Sequence, residues 1–253
     1  FAQAFNFKLL LKNKMLLLVL LIFAMFFISF NVYFPHLINY FIYTRGYDEG
    51  ISGILLGIGL IIAIPFTLVA GKFINKKKYV PVVGVALIGN IVGLFLMVIS
   101  HFVGEGDFIN KFVIVIGIIF VGGGYMVIYQ ALMMWCKNLY PEEQRGQLEG
   151  VRLFFYVCIP MVLGPAIANP VIKNLGKAIT LYYDGVAVPG YTPSKELFYV
   201  AAAVAALTFI PLVFAYLQEK KENVALVGQS EDKVEEQLTE EGRRLFRALS
   251  ECF

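Results

Sequence analysis

The chain has 253 residues, of which 59% are hydrophobic and only 15% charged, with a net charge of +3 at pH 7. Soluble domains carry about 25% charged residues, so this composition excludes an ordinary soluble protein and indicates a helical membrane protein. The apolar runs are continuous, unlike the alternating segments of about 10 residues that form porin-like barrels. Three cysteines without ligand-like spacing indicate neither a disulfide framework nor a zinc site.

Six apolar segments are each long enough to cross a bilayer, which takes about 20 residues in a helix. They cover approximately residues 15–43, 51–74, 79–102, 112–135, 153–172 and 197–217. We therefore predict an all-α, polytopic membrane protein with a lead-in at 1–14, a six-helix bundle at 15–217 and a polar tail at 218–253. Because the chain begins with Phe1 instead of methionine, we expect it to be a fragment of a longer protein.

The positions of lysine and arginine predict the orientation of these spans. If the N-terminus is cytoplasmic, the inner segments contain Lys8, Lys12, Lys14, Lys72, Lys76, Lys77, Lys78, Lys137, Arg145, Arg152, Lys220 and Lys221. The outer segments then contain only Arg45, Lys111, Lys173, Lys177 and Lys195. Because basic residues concentrate on the cytoplasmic side of membrane proteins, we expect both ends of the chain in the cytoplasm.

The first span ends in a polar stretch, FNVYFPHLINYFIY. An unpaired polar group in hydrocarbon costs several kcal/mol, so these side chains should face protein or a wet cavity. Asn31, Pro35 and Asn39 are spaced i, i+4 and i+8, so we expect them to share a face, with His36, Tyr40 and Tyr43 as a neighbouring stripe. The span is longer than a bilayer needs, so we expect it either to tilt or to bend at Pro35. A break at Pro35 would free a backbone carbonyl, a common device in transporter sites. His36 is either a proton carrier or a neutral hydrogen-bonding residue.

The fourth span contributes Tyr125, Tyr129 and Gln130, directly after a run of three glycines at 122–124. Tyr125 and Tyr129 are spaced i, i+4 and share a face, where they offer rings and hydroxyl groups either to a ligand or to a neighbouring helix. The glycines either pack tightly against another helix or let the helix flex. With the first span, these residues make up a predicted substrate site of Asn31, Pro35, His36, Asn39, Tyr40, Tyr125, Tyr129 and Gln130.

Two segments outside the spans also have recognisable patterns. The loop at 173–196 contains TLYYDGVAVPGYTPS, in which Asp184 and Gly185 form a turn signal and Pro189 and Gly190 a second one. We therefore predict a small external β-hairpin, which is either a partial lid or an ordered loop without a function of its own. In the tail, a capping pattern at 232–235 followed by spaced leucines predicts an amphipathic helix, either solvated or lying on the membrane surface.

Three segments carry a family resemblance. GKFINKKK, between the second and third spans, resembles a degenerate copy of the glycine-acid-basic loop of the major facilitator superfamily, with Asn75 where that loop usually has an acid. PEEQRGQLEG resembles the loop before the eleventh helix of those transporters. The opening FKLLLKNK and the later NYFIY resemble the seventh helix of the glycoside–pentoside–hexuronide cation symporters. The resemblance covers about 7–217 and implies the second six-helix half of a twelve-helix transporter, with the first half missing.

This resemblance implies a function. It implies secondary active transport of a small polar solute, a sugar or glycoside, by alternating access across the cell (plasma) membrane, with Na⁺ or H⁺ as a possible coupling cation and no other cofactor. The sequence contains no set of catalytic residues, no metal cluster, no phosphate-binding loop and no nucleic-acid-binding pattern. Alternatives are an exporter of a drug or lipid-like solute, a six-span scaffold without transport activity, and two six-helix chains that dimerise.

The loops that carry the resemblance also suggest a cytoplasmic gate. Its predicted members are Asn75, Lys76, Glu142, Arg145, Glu149 and Arg152, and Glu143 belongs to the same charged loop. Partly exposed ion pairs contribute only about 0–1 kcal/mol each. Such weak contacts suit a gate, because alternating access needs two states that differ by a few kcal/mol. The alternative is that these are solvated loop charges.

Overall fold

The computed structural model describes residues 10, 13–103, 108–142, 145–183 and 186–221. The chain divides into two compact units, Phe1–Leu212 and Val213–Phe253. Three predictions fall outside the described residues: the amphipathic tail helix, the place of Glu143 in the charged loop, and the turn at Asp184 and Gly185.

Six helices in the described part of the chain are long and apolar enough to cross a membrane, as predicted. They are α1 (Lys14–Thr44), α2 (Glu49–Asn75), α3 (Tyr79–Phe102), α4 (Phe108–Leu139), α5 (Arg145–Leu175) and α6 (Glu196–Lys221). Most extend beyond the apolar segments, because polar residues at their ends continue the hydrogen-bonded turns. Asn13 and Asp48 cap α1 and α2 by accepting hydrogen bonds from the backbone N–H groups of Leu16 (3.1 Å) and Gly50 (2.9 Å).

The outer third of α1 departs from α-helical geometry. The regular helix Lys14–Tyr33 is followed by a 3₁₀ turn, Phe34–His36, then by Leu37–Asn39 and a π turn, Tyr40–Thr44. This 3₁₀ turn confirms the predicted break at Pro35. The α-helical hydrogen bonding is interrupted there because proline has no N–H to donate.

The π turn is not foreseen by the sequence pattern. It begins after Asn39, so it changes the direction of Tyr40 but not the spacing of Asn31, Pro35 and Asn39. A 3₁₀ turn and a π turn each change the angle between successive side chains. The 3₁₀ turn Phe34–His36 lies between Asn31 and Asn39, so Asn31, Pro35 and Asn39 do not have the predicted i, i+4, i+8 geometry. A second π turn, Phe154–Cys158, divides α5 into Arg145–Leu153 and Ile159–Leu175.

Helix α4 lies between α2 and α3, and both of these helices pack against it. The glycine run at 122–124 allows this approach: a Cβ atom on Gly122 would lie 2.6 Å from Leu60 of α2, and one on Gly124 would lie 2.9 Å from the carbonyl oxygen of Ala86 of α3. These glycines pack against neighbouring helices. Helix α1 packs against α5 and the Glu196–Leu207 part of α6, and that part of α6 also packs against α3.

Two of the six helices bury little of their apolar surface. In the most apolar 18-residue stretch of each helix, 22% of the residues are buried in α2 and 28% in α5, compared with 61% in α1. Helix α1 is therefore an interior helix. Helices α2 and α5 instead present broad apolar faces away from their described neighbours.

The predicted hairpin is confirmed. Strands β1 (Ala178–Tyr183) and β2 (Val186–Tyr191) pair antiparallel. The second predicted turn is wrong, because Pro189 and Gly190 lie within β2, opposite Thr180 and Ile179. A two-stranded sheet tolerates this proline, since both strands are edges and the missing N–H need not break a ladder.

The hairpin lies at one end of the bundle, where Thr44 Oγ1 donates a hydrogen bond to the Pro193 carbonyl (2.5 Å). We call this the hairpin end, and the opposite end, which carries Lys14 and 76–78, the lysine end. At the hairpin end Arg45 is only 3% exposed, although the sequence places it among the outer loop charges. Its guanidinium donates hydrogen bonds to the carbonyls of Ser100 (2.9 Å), His101 (3.2 Å) and Val103 (3.3 Å). The positive charge of Arg45 therefore caps the C-terminus of α3.

Candidate functional site

A cavity of about 250 Å³ lies among α1, α2, α4 and α6, with Met97 of α3 also in its wall. Helix α1 contributes Phe30, Tyr33 and Phe34, and α4 contributes Tyr125. The remaining wall is largely aliphatic. The cavity is therefore apolar except for two phenol groups, which is the usual make-up of a small-molecule site.

A continuous stack of rings runs from this cavity toward the π turn of α5. Ring centroids are 4.4 Å apart for Phe34 and Phe30, 4.5 Å for Phe30 and Tyr125, and 6.2 Å for Tyr125 and Tyr129, each pair with nearly parallel planes. Tyr156 of α5 continues it at 5.6 Å from Tyr129. We call these five residues the aromatic ladder. Phe34 is 47% exposed, so the ladder offers an open ring face at one end.

Two buried polar groups stand beside the cavity without a hydrogen-bond partner among the described residues. They are the hydroxyl of Tyr33 and the side-chain oxygen of Asn90, and both residues are 1% exposed. The Asn90 amide lies next to the Tyr33 hydroxyl without meeting hydrogen-bond geometry, and it donates to the Val121 carbonyl at 3.1 Å. A buried unpartnered polar group costs about 1–3 kcal/mol. Tyr33 lines the cavity and Asn90 does not, so the Tyr33 hydroxyl is the candidate for ligand recognition.

The structure brings only part of the predicted substrate site together. Tyr125 lines the cavity and Tyr129 belongs to the aromatic ladder. Asn31 instead lies in the contact between α1 and α5, where its side-chain amide donates to the Phe27 carbonyl at 2.8 Å and its Cβ packs against Gly164.

The other predicted residues are distributed along the helix surfaces. Pro35 and Asn39 are exposed, His36 is half-buried, and Gln130 is exposed on α4. Tyr40 is buried, and its hydroxyl lies 3.4 Å from Nδ1 of His101 at the hairpin end. Their roles in substrate binding stay predictions. The predicted substrate site does not include Phe30 and Phe34, because apolar aromatic positions look like ordinary core residues before the helices are assembled. Tyr33 belongs to the predicted polar stretch of the first span but not to the predicted site.

The predicted gate residues form two local ion pairs. Arg152 is buried, and its guanidinium donates to Glu149 (2.5 Å) and also contacts the sulfur of Met133. Arg145 lies 3.6 Å from Glu142, with both side chains largely exposed. Both pairs are spaced i, i+3.

The remaining predicted gate residues lie in the turn between α2 and α3. Asn75 and Lys76 are exposed there, and the described residues show no ion pair that joins them to α5. Their role in a gate therefore stays a prediction.

Near Arg152, desolvation by burial raises the pKa of Tyr140, so this phenol stays neutral at physiological pH. Among the described residues, no group of three or more histidine, cysteine, aspartate or glutamate side chains is arranged to hold a metal ion.

Residues 1–165 match the sequence family described as the Major Facilitator Superfamily. The chain belongs to the Major Facilitator Superfamily. The superfamily is one of membrane transporters, and the six membrane-capable helices of the described chain agree with that membership. This membership does not confirm the resemblance to the glycoside–pentoside–hexuronide symporters.

Two solved structures show the facilitator fold in this chain. A bacterial homologue of the iron transporter ferroportin in its inward-facing state matches with a TM-score of 0.59 and 16% identity, over 80% of this chain and 45% of that one. The outward-facing state of a bacterial homologue of the iron transporter ferroportin matches with a TM-score of 0.58 at the same identity and coverage. At this identity the likeness concerns the fold alone. The facilitator chain spans less than half the length of these structures, and a comparison with curated proteins finds no match.

Proposed function

We propose that this chain is the second six-helix half of a secondary transporter that moves a small polar solute, a sugar or glycoside, by alternating access. The observation that carries the proposal is the stacked pair of Phe30 and Tyr125 in the cavity wall, beside the unpartnered hydroxyl of Tyr33. A sugar ring has an apolar C–H face and a rim of hydroxyl groups. An aromatic surface next to a free phenol complements both features.

The exposed apolar face of α5 supports the presence of a partner half. Facilitator transporters contain two six-helix halves with the solute between them. The chain covers 45% of the length of its solved relatives, which is the share that one half would have. In the proposed mechanism the two halves rock against each other, and the solute alternates between the two sides of the membrane in contact with the aromatic ladder.

Coupling to Na⁺ or H⁺ is a further part of the proposal, drawn from the family resemblance. In the symporters that the chain resembles, the cation-binding carboxylates belong mainly to the first six-helix half. His36 remains a candidate proton carrier in this half. The ion pair of Arg152 and Glu149, at the lysine end, is a candidate for the gate that closes when the transporter faces outward.

A second candidate function is the export of a planar aromatic or drug-like solute. It is favoured by the length of the aromatic ladder and by the open ring face of Phe34. The solved relatives are homologues of an iron transporter, but a divalent iron ion prefers several nitrogen or oxygen ligands. The cavity wall here consists of aliphatic and aromatic side chains with two phenols, which suits an organic solute better.

Uptake by the full-length transporter in proteoliposomes tests the proposal. We expect uptake of radiolabelled mono- or disaccharides that falls at least tenfold in Tyr125→Leu and severalfold in Tyr33→Phe. Tyr199→Phe is the matched control, because Tyr199 is exposed and lies outside the cavity. Asn31→Ala, Asn39→Ala and Tyr129→Phe test the residues proposed from the sequence.

The same assay separates the alternatives. Transport of a planar aromatic dye without transport of sugars would replace the first candidate by the second. If radiolabelled iron is taken up and neither the dye nor a sugar is transported, an organic solute would be excluded. Sugar uptake that Tyr125→Leu leaves unchanged would remove the aromatic ladder from the site.

A further inference from the structure

A second concave surface lies between α2 and α3, with α4 as its floor, and encloses about 880 Å³. It exists because α2 and α3 both pack against α4 but contact each other only slightly. Phe66 and Phe73 of α2 and Val85 of α3 form its walls, and Gly123 lies in its floor. We call this surface the lysine-end groove.

The walls of the groove belong to membrane-spanning helices and are apolar, so the groove is expected to face hydrocarbon. Its wall residues are well exposed within the described chain: Phe66 by 55%, Phe73 by 46% and Val85 by 72%. An empty groove would leave these side chains without van der Waals contacts on one side, which is unfavourable in close-packed surroundings. A flexible hydrocarbon chain supplies those contacts without any polar group to satisfy.

One end of the groove carries a fixed positive charge. Lys78 is the charged residue among those that line it, and it follows the exposed Lys76 and Lys77. Within the part of the chain that the structure describes, none of these lysines forms an ion pair. A cluster of lysines at the end of a transmembrane helix attracts anionic lipid headgroups.

The backbone of this turn is well defined. The N–H of Lys78 donates to the Phe73 carbonyl (3.2 Å) and the N–H of Lys77 donates to the Ile74 carbonyl (2.9 Å), which is the Schellman arrangement at a helix C-terminus. Lys77 adopts a φ of +59° to make this turn. Lys78 is thereby held at the first residue before α3, next to the apolar walls.

We propose that the lysine-end groove binds a phospholipid with an anionic headgroup, one acyl chain lying between α2 and α3 and the phosphate contacting Lys78. The apolar walls and the lysine are complementary to the two parts of that molecule. This site is separate from the cavity at Tyr33 and Tyr125, and it does not depend on which solute the protein transports.

Native mass spectrometry of the purified full-length transporter tests this proposal with two lipids that have the same acyl chains, phosphatidylglycerol and phosphatidylcholine. We expect phosphatidylglycerol to be retained on the order of fivefold better. Lys78→Gln should remove most of this preference, whereas Lys76→Gln should lower it less, because Lys78 lines the groove and Lys76 does not. Both lysines are exposed, so neither substitution is expected to disturb folding.

A second pair of variants tests the acyl-chain part of the groove. A side chain at Gly89 points toward the groove, with only Phe120 at 3.6 Å from its Cβ, so Gly89→Leu should reduce the retention of both lipids severalfold. Gly53→Leu is the matched control, because a Cβ there meets nothing within 4 Å and Gly53 lies outside the groove.

Several results would overturn the proposal. They are equal retention of the two lipids, equal effects of Lys78→Gln and Lys76→Gln, and wild-type retention by Gly89→Leu. Displacement of the lipid by excess glycerol phosphate would show a site for free phosphate only. A mass that corresponds to a dimer without bound lipid would indicate that a second copy of the protein covers the groove.

Discussion

Gly164 of α5 lies so close to Asn31 of α1 that a Cβ atom at Gly164 would stand 2.4 Å from the Cβ of Asn31. The two backbones touch, and neither helix has a flexible side chain there that can move aside. We expect Gly164→Ala to lower the free energy of unfolding by about 1–3 kcal/mol, the usual effect of overpacking. Thermal or denaturant unfolding in mild detergent measures this.

Gly146→Ala is the matched control for this prediction. Gly146 lies in the first turn of α5, and a Cβ there meets nothing within 4 Å. Alanine is a better helix former than glycine by about 1 kcal/mol, so this variant should be as stable as the wild type or more stable. Similar losses in both variants would contradict the close contact of α1 and α5.

The unpartnered hydroxyl of Tyr33 leads to a second prediction. Tyr33→Phe removes a buried polar group that has no partner among the described residues, so the free energy of unfolding should stay the same or rise by about 1 kcal/mol. Tyr79→Phe is the control, because the Tyr79 hydroxyl accepts a hydrogen bond from the Asn138 amide. The control should lose about 1 kcal/mol. If Tyr33→Phe is the more damaging of the two, the hydroxyl has a structural partner.

The two ion pairs of α5 and its preceding loop should differ in strength. Arg152 is buried and bonded to Glu149, so Arg152→Met should lower the free energy of unfolding by about 1.5–3 kcal/mol. Arg145 and Glu142 are 62% and 90% exposed, so Arg145→Met should cost no more than about 1 kcal/mol. Chemical unfolding of both variants in the same detergent makes the comparison. Equal losses would mean that burial of Arg152 contributes nothing.

The turn between α2 and α3 contains a residue under backbone strain. Lys77 has a φ of +59°, a conformation that costs a residue with a side chain about 1–2 kcal/mol. Lys77→Gly should therefore raise the free energy of unfolding by about 0.5–1 kcal/mol, since part of the gain is offset by the greater freedom of glycine in the unfolded chain. Lys76→Gly, at a φ of −82°, should give no such gain. A destabilised Lys77→Gly would show that the lysine side chain itself holds the turn.

The features that sequence reasoning predicts well are those set by local chemistry. The bilayer demands a long apolar segment for every span, so all six helices can be recognised from hydropathy. The break at Pro35 follows from one residue, and the hairpin follows from a turn signal between two β-prone segments. Pro189 misleads because a turn and an edge strand both accept proline.

The features that it misses depend on which helices meet. Phe30 and Tyr125 stack only because α1 and α4 pack in one register, which no spacing within either helix reveals. Arg152 looks like a loop charge until α5 begins at Arg145 and draws it into the protein. The unpartnered atoms of Tyr33 and Asn90 likewise become visible only when every neighbouring donor and acceptor is known.

The change of helix type in α1 also has a consequence for chemical labelling. Side-chain direction advances by about 100° per residue in an α-helix but by about 120° in a 3₁₀ turn, and by less in a π turn. In a cysteine scan along α1, the reactivity toward a labelling reagent should therefore rise and fall with the α-helical period up to Tyr33. Between Phe34 and Thr44 the maxima should no longer follow that period. Inserting or deleting one residue in that stretch would rotate the hairpin end of α1 as a block, and the bond of Thr44 to Pro193 would be the first to break.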